Sequence, residues 1–462
     1  MARPYVCVLT LAAMLLLGIA TVTRSKGLRD TEHQRASPIP SQFSQEERVT
    51  MKESLKGAIQ IPTVSFNPGE FNTTALAEFG EYIHKVFPTV FRTSFIQHEV
   101  VGEYSHLFTV QGSDPSLQPY MLLAHIDVVP APDQGWEVPP FSGLERDGFI
   151  YGRGTLDNKN SVMALELLLI RNYIPRRTFF IALGHDEEVS GAHGAQKISA
   201  LLQARGVQLA FIVDEGSFIL DGFIPSLKTP FAMVSVSEKG SLDLMFGSGP
   251  LKMTLQQLAN EFSFPANVIF NNLWLFWPLV SRLMEREDIT NALVRTTTAV
   301  TMFKAGIKVN VIPPVAQATV NFRIHPAQTV QEVLKLAKDI VVDDRVQFHV
   351  LESFEPLPVS PFDDQALGYQ LIRQTIQSIF PEINIVVPGT CIAQTDSRLY
   401  TNLTTGIYRF NPVYLQPQDF RSIHGINERI SVQAYESQVK FIFEFIQNAD
   451  TEQRPVSHLH EL

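Results

Sequence analysis

Three apolar runs of strand length each end in a short burst of acidic or imidazole side chains, and this repetition constrains the fold more than any bulk property of the chain. Residues 120–124 run into His125-Ile126-Asp127, residues 178–183 into Gly184-His185-Asp186-Glu187-Glu188, and residues 209–213 into Asp214-Glu215-Gly216. Short apolar runs bounded by turn signals read as strands buried on both faces. A fourth run lies at 107–110, and helical periods fall at 75–86, 161–172 and 195–204. That alternation predicts an α/β domain with a largely parallel sheet. Open sheets of this kind place their ligand crevice at the carboxyl ends of the strands. The acids and imidazoles therefore converge on one site instead of being spread over a solvated surface.

The flanking segments set the organisation. Ser44-x-x-Glu47 is a capping-box pattern that opens a helix through about residue 58. Before it, Arg3 precedes an apolar run from Val6 to Val22, followed by Thr23 and Ser25, which reads as a secretory signal peptide over 1–25. An uncleaved anchor is the competing reading, because the run is near the lower length limit for a membrane span. Residues 26–45, rich in Ser and Pro toward their end, read as a tether. After Ser237 the texture changes to an apolar helical stretch at 253–287, strand patterns at 296–303 and 316–324, a helix at 330–340 and a strand at 346–351. This predicts an α+β insertion over 238–352, between a first catalytic part at 46–237 and a second at 353–462 that closes with an amphipathic helix at 432–447.

Composition enters as exclusion. Asp and Glu outnumber Lys and Arg by 47 to 37, leaving a net charge of −10 and no broad basic face for nucleic acid. Of the two cysteines, Cys7 falls in the leader, so the mature chain has Cys391 alone and no intrachain disulfide. The leader predicts a secreted, extracellular protein, and the sequons at Asn72 and Asn402 suit glycosylation on that route.

Alternation along an extended backbone puts His125 and Asp127 on the same side, so that one can bind a metal while the other orients it. Asp157 sits in Gly152-Arg153-Gly154-Thr155-Leu156-Asp157-Asn158-Lys159, just ahead of a helix, where it suits either an N-cap or a ligand. Glu187, Glu188 and Asp214 follow strands, and His424 precedes the last helix. Two imidazoles and several carboxylates suit zinc or a similar divalent ion, and a carboxylate shared by two ions would define a two-metal site. Without cations, so many acids in one crevice would repel each other.

These motifs, in this order, resemble those of the co-catalytic zinc metallopeptidases that include aminoacylases, carboxypeptidases and succinyl-diaminopimelate desuccinylases, across nearly the whole mature chain. The resemblance implies a zinc-peptidase-like catalytic domain carrying an inserted α+β lid. It implies that His125, Asp157 and Asp214 hold one Zn2+ and Asp157, Glu188 and His424 the other, that Asp127 steers His125, and that Glu187 is the general base. Asn310, in Asn310-Val311-Ile312-Pro313, and Arg323 are similar to lid residues that contact the substrate carboxylate or developing oxyanion, and Thr395-Asp396-Ser397-Arg398 is similar to a loop lining the site. Within the group, the leader and motif wording are closest to a secreted branch that hydrolyses and forms N-fatty-acyl amino acids. The expected partners are then N-acyl amino acids, fatty acids and amino acids. Residues 264–284, with Trp274, Phe276 and Trp277, offer a surface for a lipid particle or a core stripe, and Asn267, Asn271, Asn272 and Pro278 argue against a membrane span.

The resemblance breaks in the lid. The family's Gly-His-Ser segment is missing: Glu238-Lys239-Gly240-Ser241-Leu242-Asp243-Leu244-Met245 is followed at once by Phe246-Gly247-Ser248-Gly249-Pro250, and no His lies between His193 and His325. Two alternatives to the amidohydrolase therefore stand beside it, a catalytically impaired metal- or lipid-binding variant and a secreted zinc dipeptidase.

Overall fold

The structure is a computed structural model that describes residues 42–451, apart from 169–172, 225–226, 228, 239–249, 287, 326–327, 352 and 356, and apart from the side chains at 165–168 and 288–289. The expected signal peptide and all but the end of the tether lie outside the described residues. So does the junction at which the lid motif is lost.

A ten-stranded mixed sheet organises the molecule. Its centre is parallel: Tyr120–His125 pairs with Phe179–Gly184 on one side and Ile212–Asp214 on the other, and Ile212–Asp214 pairs with Ile407–Arg409. The expectation of a largely parallel sheet holds for this centre and gives way toward one edge. There Ser105–Val110 runs antiparallel to Phe179–Gly184, and Ile96–Val101 runs antiparallel to Ser105–Val110. Beyond the other side, Phe231–Glu238 lies antiparallel to Ile407–Arg409 and parallel to Val386–Cys391. Because the three central strands point the same way, the residues that follow them emerge along one edge.

Strand alternation explains why both faces are covered. Tyr120, Leu122, Ala124, Phe179, Ile181 and Leu183 join one core, together with residues of the helices Gln45–Ile59, Thr73–Val86, Leu367–Ile379 and Val432–Thr451. The intervening Met121, Leu123, Phe180 and Ala182 join a second core with Ile198 and Leu202 of the helix Ala195–Ala204. Burying a large aliphatic or aromatic side chain is worth about 1.5–3 kcal/mol, so these two layers dominate the stability of the catalytic part. The capping box forms as expected, with Ser44 accepting the Glu47 amide and Glu47 accepting the Ser44 amide.

The insertion departs from expectation in two places. The apolar stretch at 253–287 is broken into Pro250–Leu258, Ala266–Asn271 and Leu273–Met284, because Pro265 cannot continue a helix and Asn272 leaves helical geometry. Leu258 and Phe262 pack against Phe231 and Val387 of the main sheet. The strand expected at 346–351 does not form among the described residues, and Val346, Phe348, Val350 and Leu351 are exposed. An extended segment needs a ladder partner, and none adjoins it among the described residues. The remaining lid sheet is a two-stranded hairpin, Thr297–Ala305 with Ala316–Arg323, whose first strand is exposed at nearly every position. Helix Val330–Val341 follows, with a capping box between Thr329 and Glu332. No helix among the described residues is long and apolar enough to cross a membrane.

Candidate metal centre

His125 is the last residue of its strand and is fully buried. Its Nδ1 lies 3.0 Å from the Asp127 carbonyl oxygen and 3.3 Å from Asp127 Oδ1, which fixes the ring and turns Nε2 into the crevice. Nε2 is 3.0 Å from Asp157 Oδ1 and 3.0 Å from Glu215 Oε1. The other oxygen of Asp157, Oδ2, is 3.0 Å from His424 Nε2, which is itself 3.2 Å from Glu188 Oε2. Two donor groups result, His125–Asp157–Glu215 and Asp157–Glu188–His424, and Asp157 belongs to both.

The structure thus brings together His125, Asp157, Glu188 and His424 as the motif order implies. At the third strand end it turns Glu215, the neighbour of Asp214, toward His125. The Asp214 carboxylate is buried and occupied by backbone donors, Glu215 N at 2.9 Å and Ser397 N at 3.0 Å. Adjacent residues leave a strand in opposite directions, and sequence carries no signal for which of the two acids turns inward. Asp127 does more than expected, because besides holding His125 it accepts Ser65 Oγ at 2.7 Å, Glu187 N at 3.1 Å and Glu188 N at 3.2 Å.

The electrostatics show what the donor set requires. Burial opposes protonation of His424, but its contacts with Asp157 and Glu188 push it up to about 11. His125 rises well above the imidazole range, since Glu215, Asp127 and Asp157 outweigh its burial. Burial, with the Asp157 charge nearby, pushes Glu215 up to about 8 against the pull of His125. Glu187 is also raised well above the carboxylate range, chiefly by burial. The acids thus demand positive charge, which the His125 and His424 imidazoles supply when protonated. Glu188 Oε1 is buried without a hydrogen-bond partner, an unfilled acceptor facing the same space. This chemistry fits a pair of divalent cations.

The expected substrate contacts are not brought together. Asn310 is exposed in the loop between the hairpin strands, whereas Arg323 lies at the end paired with Thr297. The eight-residue strand Ala316–Arg323, at about 3.4 Å per residue, puts these positions roughly 25 Å apart. Among the described residues, neither side chain pairs with the carboxylate cluster. Of the sequons, Asn402 is exposed in a turn, while Asn72 is half-buried and caps the helix Thr73–Val86 by accepting Ala75 N at 3.2 Å.

A shared carboxylate between two imidazole-bearing corners, at the carboxyl edge of a mixed sheet, is the frame of a two-metal hydrolase, and the chain belongs to Peptidase family M20/M25/M40, which it matches over residues 121–448. It is 74% identical, over all of both chains, to the N-fatty-acyl-amino acid synthase/hydrolase PM20D1 of Bos taurus, and 69% identical, again over all of both chains, to the Homo sapiens protein of the same name. Each of these alignments runs over 503 positions against 462 residues here, so at least 41 positions (503 − 462) have no counterpart in this chain. Among solved structures, the M20 family metallo-carboxypeptidase Sso-CP2 from Sulfolobus solfataricus shares the fold, with a TM-score of 0.60 at 16% identity over 88% of this chain and 100% of that one.

Proposed function

We propose that the protein is a secreted, metal-dependent amidohydrolase that hydrolyses N-fatty-acyl amino acids and, run in reverse, condenses fatty acids with amino acids. The observation that carries this reading is the double use of Asp157, whose two oxygens each lie 3.0 Å from a different imidazole; full-length identity to the PM20D1 relatives supplies the substrate class. His125, Asp157 and Glu215, with Asp214 behind Glu215, would hold one Zn2+, and Asp157, Glu188 and His424 the other. When bound, such a pair supplies Lewis acidity to the amide carbonyl and acidifies water.

The remaining chemistry belongs to the chain. Asp127 fixes the His125 ring through Nδ1 and, through the Glu187 and Glu188 amides, fixes the turn that presents both glutamates. The Glu187 carboxylate takes a proton from the water that attacks the amide carbon and gives it to the departing amine nitrogen. Condensation runs the same transfers backward. Arg323 would bind the substrate α-carboxylate through its guanidinium fork if the lid swings over the centre; Asn310, at the far end of the same hairpin, would not reach that substrate with it. Exposed Trp274, Leu275, Leu279 and Leu283 on the helix Leu273–Met284 support a face that meets lipid particles.

Incubating the purified protein with an N-oleoyl amino acid, with and without chelator, tests the proposal. Metal-dependent release of oleate is expected, and no turnover in either direction removes it. The separation of Asn310 from Arg323, with the 41 or more unmatched positions, favours one other reading, a form that binds metal without turnover. Bound zinc alongside absent hydrolysis would establish that form, and faster cleavage of dipeptides than of long-chain acyl amino acids would assign a dipeptidase instead.

A further inference from the structure

Glu428 immediately precedes the strand Arg429–Ser431, and its ionisable side chain is 0% exposed. Its Oε1 accepts three backbone amides from one loop, Gly154 N at 3.1 Å, Leu156 N at 2.8 Å and Asp157 N at 3.3 Å. Its Oε2 accepts Arg153 Nη1 at 2.7 Å, and Arg153 Nη2 donates to the carbonyl oxygen of Gly425 at 2.7 Å. The main chain adds Gly152 N to Glu428 O at 2.9 Å. One carboxylate therefore joins the loop that carries Asp157 to the loop that carries His424, more than 260 residues later in the chain.

The two loops need such a tie. Below them, Arg429–Ser431 pairs antiparallel with Phe149–Tyr151, which sets a common base. Above that ladder neither loop has regular structure to hold it, and His424 sits at a φ of +58°, a left-handed conformation that non-glycine residues adopt only when the surroundings impose it. A nest of backbone amides around a buried carboxylate, closed by a guanidinium through its two terminal nitrogens, is held rigid because both carboxylate oxygens are desolvated and paired.

We propose that Glu428, with Arg153, is the positioning pair of this centre: it fixes Asp157 relative to His424 and so sets the separation of the two cation positions. This rests on the metal-centre reading above. Neither residue touches substrate or cation, and a buried ion pair can also serve stability alone, so the test must separate these roles.

Glu428→Gln keeps the size but sets a donor against Arg153. Zinc titration of the purified holoprotein stripped and reloaded is expected to show 10- to 100-fold weaker binding at the corner formed by Asp157, Glu188 and His424, with a smaller loss at the His125 corner, which shares Asp157 but not His424. Amide exchange of the metal-free protein is expected to accelerate at least tenfold over 153–158 and 422–428 and to stay unchanged over the strand Tyr120–His125. Equal weakening at both corners, unchanged affinities, or faster exchange everywhere would overturn the proposal. If Glu428→Gln does not fold, Arg153→Lys, which keeps the charge but loses the fork to Gly425, is read in the same way. Should the wild-type chain take up no metal, the metal-centre reading fails by itself and the exchange pattern still decides the tie.

Discussion

Asp127 Oδ1 accepts the backbone N–H of Glu187 at 3.1 Å while lying 3.3 Å from the ring nitrogen of His125. A single buried carboxylate thus couples an imidazole on one strand end to Glu187, the proposed acid–base residue, on the next. Replacing Asp127 with Asn removes the charge that orients the imidazole and forces an amide donor against one of its neighbours. Metal affinity at the His125 corner is expected to fall about 10- to 100-fold, measured by competitive zinc titration, and kcat should fall with it even at saturating metal.

Glu187→Gln leaves the shape of the turn and the metal donors intact but removes the proton acceptor. Loss of general acid–base catalysis typically costs about 10²- to 10⁴-fold. The expected result is hydrolysis of an N-oleoyl amino acid reduced by that amount with metal content unchanged by elemental analysis. Retained turnover would move the proton transfer to another group.

Asp214 and Glu215 are neighbours with different surroundings, so their variants should separate. Glu215→Gln removes the oxygen 3.0 Å from His125 Nε2 and is expected to weaken zinc at that corner about 10-fold or more. Asp214→Asn loosens the Ser397 and Glu215 amides it accepts and should lower thermal stability more than metal affinity. The reverse ranking would make Asp214 the ligand.

Away from the centre, two imidazoles should make the fold acid-sensitive. Burial lowers His98 to about 4, helped by His84, and lowers His106 to about 3, helped by His98 and His84; the two rings meet at 2.9 Å. Unfolded histidine titrates near 6.5, so below that pH the unfolded chain binds protons that the folded chain refuses. Stability from these groups is complete above about pH 6.5 and is lost as pH falls toward 4 and then 3, at up to about 1.4 kcal/mol per unit for each proton. Urea midpoints of the wild type between pH 7 and 5 should fall, and His106→Leu should flatten the slope.

Much of this was readable from the residues. The apolar runs at 120–124 and 178–183 gave strands, and the acids that follow them marked the crevice edge. What was not readable depended on three-dimensional partners. Glu215 could not be told from Asp214 because both follow the same strand. Glu428 gave no signal, because a carboxylate four residues after His424 looks like surface until three amides from a distant loop surround it. The expected strand at 346–351 has the right residues but no neighbour to pair with.

The lid hairpin has the opposite problem, a pair of strands with nothing beyond them. Among the described residues, both long edges of Thr297–Ala305 and Ala316–Arg323 lack a further strand, and none of the hairpin's residues joins a hydrophobic cluster of the catalytic part. Such a ribbon opens on its own at little cost, since it shares few interactions with the rest. Heating should therefore melt the molecule in two stages, an early one belonging to the hairpin and a later one belonging to the sheet. Zinc should raise only the later stage, which makes the main sheet thermally independent of the hairpin.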